Sequence, residues 1–174
     1  MSLTALAKTQ FENGLRLARG GGKALREKAW AEFERQGLPS QANEAWKYSS
    51  LKKLSTEKWT AASSSEDIPV VAANLIREWR DQFDVAVLIN GQLHKKSSQL
   101  TLEAGYEFGS LTNSEIQPQV SYEDGFVSLA AAVNRGGYHL RVDAGVVFPK
   151  PLLIVHCAQG EGSWSATLNR ISLG

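Results

Sequence analysis

Apolar positions recur at helical spacing in three segments of the first half of the chain. Leu25, Ala29 and Phe33 follow one another every fourth residue, and Gly37 ends this pattern. A weaker stripe lies within residues 3–11. A third stripe consists of Ala72, Leu75, Ile76, Trp79 and Phe83. The stripes predict three helices, each of which must bury its apolar face against another part of the chain.

The pattern becomes alternating after residue 84. Val85, Val87 and Ile89 alternate as in a half-buried strand, and Asn90-Gly91 then predicts a two-residue hairpin because both residues tolerate positive φ. Further short strands are predicted over residues 138–142, 146–148 and 152–157, with one helix over residues 125–137. A helical first part followed by a β-rich second part predicts an α+β fold.

A stretch without periodicity separates these two parts. Residues 55–68 are rich in Ser, Thr and Ala, a composition typical of a mobile linker. The expected organisation is therefore an N-terminal helical region over residues 1–54, the linker, and a helix plus β-rich region over residues 69–174.

The composition is that of an ordinary globular protein. The chain has 174 residues, of which 43% are hydrophobic and 21% charged. No apolar run reaches the roughly 18–20 residues that span a bilayer, and no secretory signal is visible. The single cysteine, Cys157, excludes an intramolecular disulfide framework and a multi-thiolate metal site. These features predict a soluble, cytoplasmic protein without a membrane partner.

Charge is unevenly distributed along the chain. Residues 1–60 hold 11 Lys/Arg and 6 Asp/Glu, a net charge of +5, and the remaining residues carry a net charge of −4. No cluster of Lys and Arg is interleaved with aromatic residues, as nucleic-acid binding surfaces require. We therefore expect two solvated surfaces of opposite sign and no nucleic-acid partner.

Residues for catalysis or cofactor binding are scarce. The sequence has no glycine-rich nucleotide-binding motif and no zinc-protease motif, so no catalytic, cofactor or metal residue is assigned. His156 and Cys157 could form a thiol nucleophile with its base. However, neighbours on one strand point to opposite faces, which favours a buried Cys157 and an outward His156. A thiol enzyme remains one alternative.

Two aromatic residues stand in the segment that follows the second predicted helix. Trp46 and Tyr48 could form an aromatic platform for a peptide or a glycan, or they could anchor a short helix to its neighbours. Glu44 and Lys47 beside them could belong to a docking face or be ordinary solvated charge. A free-standing binding module with an α+β fold is therefore a second alternative.

The segment GLPSQANEAWKYSSL, residues 37–51, resembles the N-terminal region of the SufB/SufD family of iron–sulfur cluster assembly proteins, on its SufD-like side. The matching residues are Gly37, Leu38, Pro39, Glu44, Trp46, Lys47, Tyr48, Ser49 and Leu51. Later segments match in the same order: Asn90 and Gly91 within residues 87–93, Pro151 within residues 126–162, and an Arg-containing strand over residues 167–174.

The resemblance implies a fold and a role. The fold is an N-terminal helical domain followed by the first coils of a right-handed parallel β-helix. The role is that of a non-catalytic scaffold that works with SufB-like and SufC-like subunits, in a complex that handles iron–sulfur clusters. Family chains are more than twice as long, so we expect a truncated piece that lacks the residues tied to cluster assembly and holds no cofactor itself.

A truncated β-helix would leave an unpaired edge. Each coil of such a fold pairs its backbone with the next coil, and an open apolar edge invites another chain. The edge is expected near Leu168, Ile171 and Leu173. We therefore expect self-association into a homo-oligomer through residues 150–174.

Overall fold

The computed structural model describes residues 1–18, 21–63, 66–101, 103–111 and 120–174. Its helices are α1 (Leu3–Leu17), α2 (Gly21–Gln36), α3 (Lys52–Thr56), α4 (Val70–Trp79) and α5 (Gly125–Val133), with a 3₁₀ turn at Glu44–Trp46. Its strands are β1 (Thr60–Ala61), β2 (Asp84–Ile89), β3 (Gln92–Leu93), β4 (Tyr106–Ser110), β5 (Tyr138–Val142), β6 (Leu152–Cys157), β7 (Ser163–Trp164) and β8 (Arg170–Leu173). Helices together with small sheets confirm the predicted α+β class.

The chain divides into two compact units, each assembled from three stretches. The first comprises Met1–Ala61, Gln119–Asn134 and Gly162–Ala166, and the second comprises Ala62–Pro118, Arg135–Glu161 and Thr167–Gly174. The segment predicted as a mobile linker contains the end of α3 and all of β1, while its residues 64 and 65 lie outside the described residues. Its mobility and the domain boundaries drawn from the sequence stay predictions.

Three helices supply the core of the first unit. The hydroxyl of Ser2 accepts a hydrogen bond from the Ala5 amide at 3.3 Å and caps α1, which buries Leu3 and Leu6. The helix predicted from the stripe that ends at Phe33 is α2, and Phe33 is buried. Strands β1 and β7 of this unit pair in parallel.

Helix α5 begins at a strong cap and ends earlier than the sequence predicts. The Asp124 carboxylate accepts from the amides of Phe126 and Val127 at 2.7 and 3.0 Å. The helix stops at Val133, because the backbone of Asn134 is extended with ψ 141°. The predicted continuation to residue 137 is therefore wrong: Gly136 instead forms a parallel bridge with Thr167.

Two three-stranded sheets form the second unit. One has the strand order β3-β2-β6 and the other the order β4-β5-β8. In each sheet the central strand pairs antiparallel with one neighbour and in parallel with the other. The two parallel pairs join segments far apart in the chain, Asp84 with Leu152 and His139 with Arg170.

Strand β2 is the strand predicted from Val85, Val87 and Ile89. It is buried on both faces, so the prediction that only one face is buried is wrong. Ala86 and Leu88 belong to an apolar cluster on one face. Val85, Val87 and Ile89 belong to a second cluster on the other, which α4 helps to cover. A central strand with apolar neighbours on both sides does not show a clean alternation of apolar and polar residues.

Strands β1, β4 and β7 were not predicted, and one predicted strand is absent. In β4 the apolar alternation of Tyr106 and Phe108 stops at Ser110. Gly109, on the opposite face, leaves room for the His139 ring of β5, which a Cβ there would meet at 2.7 Å. Residues 146–148 are not a strand; Val146 and Phe148 pack irregularly against an apolar cluster and Val147 is exposed.

Candidate functional site

The Gly-Leu-Pro segment of the sequence motif ends α2 against α5. Gly37 has φ +68° and its amide donates to the Phe33 carbonyl at 2.7 Å, which is the left-handed end typical of a helix. Its own carbonyl oxygen lies 1.8 Å from the position that a Cβ would take at Gly125, and Pro39 Cδ lies 3.5 Å from the same point. Two glycines therefore allow the backbones of the motif and of α5 to touch.

The two aromatic residues of the motif have different environments. Trp46 is half-buried and packs on Phe126 of α5 with ring centroids 5.2 Å apart. Tyr48 is 92% exposed, and its only described ring contact is with the Lys47 ammonium, 5.7 Å from its centroid. Glu44, which begins the 3₁₀ turn, is exposed. Trp46 is thus an anchor, whereas Tyr48 is available for contact.

The Asn90-Gly91 dipeptide forms the predicted hairpin between β2 and β3. Both residues have positive φ, 49° and 85°, as a two-residue turn requires. Asn90 is buried, and its side-chain amide nitrogen donates to the carbonyls of Ser63 and Gln159 at 2.8 and 3.0 Å. Its side-chain oxygen accepts from the Gln159 amide at 2.8 Å. The turn therefore also fastens two distant segments, which the sequence did not indicate.

Sequence reasoning missed Arg26, an interior position of α2. Its guanidinium donates to the carbonyls of Ala132 at 2.8 Å, in the last turn of α5, and of Asn134 at 2.7 Å, the residue that follows the helix. A cation at a helix C-terminus complements the helix dipole and satisfies carbonyls that have no partner within the helix. The two carbonyls lie 106 and 108 residues after Arg26 in the sequence, and no local pattern indicates such a contact.

We expect Arg26→Met to lower the free energy of unfolding of the first unit by about 2–3 kcal/mol. The change removes two charge-assisted hydrogen bonds and leaves two half-buried carbonyls unpaired. Urea unfolding followed by tryptophan fluorescence measures this effect. Arg35→Met is the matched control, because Arg35 pairs with Glu32 on the surface of the same helix and should contribute at most about 1 kcal/mol. Equal losses in both variants would contradict the capping role.

His156 and Cys157, neighbours on β6, have different environments. Cys157 is half-buried and packs with the apolar cluster of Val155 and Ile76, whereas His156 is exposed. Burial raises the pKa of the Cys157 thiol, which disfavours the reactive thiolate. The described residues contain no group of three His, Cys, Asp or Glu side chains that could hold a metal ion.

We expect Cys157 to react slowly with iodoacetamide in the folded chain. Because its pKa is raised, the pH profile of alkylation should lie at higher pH in the folded chain than in urea, where the thiol is free. The measurement is the alkylation rate between pH 6 and about 10, the range in which an ordinary thiol titrates. A folded profile shifted to lower pH would favour the thiol-enzyme alternative.

Among the described residues, β6, β7 and β8 are outer strands of their sheets. Pro151 precedes β6, and its carbonyl accepts from the Asp84 amide at 3.0 Å, at the start of the parallel pair with β2. The Leu168 amide donates to the Gly136 carbonyl at 3.1 Å. Within β8, Ile171 is 57% and Leu173 75% exposed. In the described part of the chain β6, β7 and β8 each have a strand on one side only.

Most of the chain is similar to known proteins. The family model for the SufBD protein N-terminal region matches residues 22–154. A 132-residue stretch, 72% of this chain, is 25% identical to the iron–sulfur cluster assembly protein SufD of Escherichia coli (strain K12). That stretch covers 29% of the relative, so the chain spans less than a third of its length.

A membrane-spanning helix is not found among the described residues, since none of the helices there is both long and apolar enough. The family match begins within α2 and extends into β6. It includes the contact of Gly37 with Gly125, the Trp46 anchor and the Asn90-Gly91 hairpin. The chain belongs to the family of SufBD protein N-terminal regions.

Proposed function

We propose that this chain is part of a SufD-like scaffold in SUF iron–sulfur cluster assembly and has no catalytic activity of its own. The observation that carries the proposal is the match of the family model to residues 22–154, which includes the Gly37–Gly125 contact and the Asn90-Gly91 hairpin. The parallel addition of β6, β7 and β8 to earlier strands supports a scaffold built from stacked strands. The similarity to SufD supports the assembly system. The proposal adds a cytoplasmic location and SufB-like and SufC-like partners, which the family resemblance of the sequence implies.

We further propose that residues 138–174 begin a right-handed parallel β-helix. The chain leaves one sheet after β5, contributes β6 to the other sheet, and returns as β8 beside β5 with Val142 opposite Leu173. A parallel return to the same sheet is how a solenoid stacks one coil on the next. This path supports the β-helix, and its handedness is part of the proposal.

The scaffold proposal is tested with the complete gene that encodes this sequence. The product should co-purify with SufB-like and SufC-like subunits, and the 174-residue chain alone should show no turnover and bind no cluster. A product that purifies without these subunits would contradict the proposal.

A peptide- or glycan-binding module is the second candidate. The 92% exposure of Tyr48, with the Lys47 ammonium against its ring, favours it, because exposed aromatic residues commonly mark binding surfaces. A glycan or peptide array probed with the wild-type chain and with Tyr48→Ser tests it. Signals that disappear in the variant would support the module, and signals that persist would exclude Tyr48 as its site.

The open edge of β8 predicts self-association of the 174-residue chain. We expect the weight-average mass in sedimentation to rise with concentration, and the double variant Ile171→Lys and Leu173→Lys to remain monomeric, since edge lysines block strand addition. Val147→Lys is the matched control, because Val147 is 85% exposed and lies outside any strand. A wild-type monomer at high concentration would contradict this prediction.

A further inference from the structure

The second unit contains a polar junction that the proposed scaffold function does not require. Three segments meet at the Asn90 side chain, which donates to the Ser63 and Gln159 carbonyls and accepts from the Gln159 amide. The backbone amide of Asn90 also donates to the Cys157 carbonyl at 2.8 Å. We call these contacts of Asn90 the Asn90 clasp. They use both side-chain amide hydrogens, and the side-chain oxygen is also engaged.

The dipeptide at the clasp is chemically labile. An asparagine followed by glycine deamidates readily, because a glycine has no side chain to hinder its backbone nitrogen. That nitrogen attacks the asparagine Cγ and loses its proton, and the side-chain nitrogen leaves as ammonia. The succinimide that results is opened by water to aspartate or isoaspartate.

In the folded chain the clasp prevents this reaction. The attack requires Asn90 Cγ to turn towards the Gly91 nitrogen, but hydrogen bonds to residues 63 and 159 hold the carboxamide in place, and Asn90 is buried. We propose that Asn90-Gly91 is a deamidation site that reacts only when the clasp opens, and that the reaction keeps the clasp open.

The second half of the proposal follows from the product. An aspartate has no amide hydrogens, so it cannot donate to the Ser63 and Gln159 carbonyls, and its negative charge would face two carbonyl oxygens. An isoaspartate also lengthens the backbone by one carbon in a two-residue turn whose geometry is fixed by its two positive φ angles. Either product prevents the two donations to the Ser63 and Gln159 carbonyls from re-forming, and each converted molecule records an earlier opening.

The chain carries its own reference site. Asn13-Gly14 is the other Asn-Gly dipeptide in the sequence, and Asn13 is exposed near the end of α1. Its conversion requires only local unwinding of the last turns of a helix, which costs less than opening a buried junction. The ratio of the two rates, measured in one sample, therefore removes differences in pH, temperature and buffer.

The experiment follows both sites by peptide mass spectrometry during incubation at mildly alkaline pH, with and without urea. In the folded chain we expect Asn90 to convert at least about tenfold more slowly than Asn13, because loss of the clasp hydrogen bonds must precede reaction. In urea the two rates should become equal. Equal rates in the folded chain would overturn the protection by the clasp.

A second measurement tests the consequence of conversion. Hydrogen exchange of the backbone amide of residue 90, which donates to the Cys157 carbonyl, should accelerate in Asn90→Asp, because the Ser63 and Gln159 carbonyls lose their donor. Asn13→Asp is the matched control and should leave this amide protected. If Asn90→Asp does not fold, the same exchange is measured on wild-type chains that have converted partially at Asn90. Unchanged protection of this amide in converted chains would overturn the proposal.

Discussion

Replacement of Gly125 by alanine is expected to destabilise the first unit by about 2–4 kcal/mol. The new Cβ would lie 1.8 Å from the Gly37 carbonyl oxygen and 2.9 Å from its carbonyl carbon. Both atoms belong to backbone, so no side-chain rotation can relieve the contact. Either α5 must move away from the end of α2, or the left-handed turn at Gly37 must be lost.

Helix propensity alone predicts the opposite sign for this substitution. Gly125 is the first residue of α5, and alanine is favoured over glycine inside helices by about 0.5–1 kcal/mol. Gly22→Ala is the matched control, because Gly22 lies in α2 and a Cβ there meets nothing within 4 Å. We therefore expect Gly22→Ala to be neutral or stabilising while Gly125→Ala is strongly destabilising.

Urea unfolding followed by tryptophan fluorescence separates these outcomes. Most of the tryptophans lie in the first unit, including Trp46, which packs on α5 next to the substituted residue. Unfolding midpoints are compared at equal slope, so that a change in the denatured state is not mistaken for a change in stability. A Gly125→Ala variant as stable as Gly22→Ala would contradict the tight contact between the motif and α5.

Local signals predicted the elements that local physics determines. Helix α2 was predicted from its stripe and from Gly37, whose φ of +68° shows why a glycine stands there. The hairpin at Asn90-Gly91 was predicted because a two-residue turn needs positive φ at both positions. In both cases the deciding residues lie within a few positions of the element.

Contacts between distant segments were not predictable in this way. The same motif holds Trp46 and Tyr48 two residues apart, yet only Trp46 meets an aromatic partner, Phe126. Arg26 shows no periodic or capping signal in its own helix, because the helix that it caps comes much later in the chain. Polar side chains that bind remote backbone groups have no sequence spacing to reveal them.

Parallel strand pairing was anticipated only through the family resemblance. Periodicity predicted β5 and β6 as strands but gave neither their partners nor their direction. Strand β8 is short, and its apolar residues, Ile171 and Leu173, are its more exposed positions. The resemblance implied the first coils of a parallel β-helix; β8 pairs in parallel with β5, and the β-helix itself stays a proposal.

Gly137→Ala is expected to have the largest effect in the second unit, a loss of about 3–5 kcal/mol. Gly137 has φ +129°, a region that residues with a side chain rarely adopt. A Cβ at this position would also lie 1.7 Å from the Leu168 carbonyl oxygen and 2.7 Å from its carbonyl carbon. Conformational strain and a backbone clash therefore act together at the start of β5.

A control variant shows the cost of a positive φ without a clash. Gly145 also has positive φ, +79°, but a Cβ there would meet nothing within 4 Å. Gly145→Ala should therefore show only the backbone penalty, about 1–2 kcal/mol. The additional loss in Gly137→Ala combines the close approach to residue 168 with the higher backbone cost of φ +129°.

Amide hydrogen exchange at β8 shows where the Gly137→Ala effect arises. The Leu168 amide donates to the Gly136 carbonyl, and the Gly174 amide donates to the Val142 carbonyl at the far end of the parallel pair. If the close contact between Gly137 and the Leu168 carbonyl holds β8 against β5, both amides should lose protection from exchange in Gly137→Ala and keep it in Gly145→Ala. Retained protection in both variants would mean that the return of the chain to β5 does not depend on Gly137, and the case for a stacked coil would lose its main structural support.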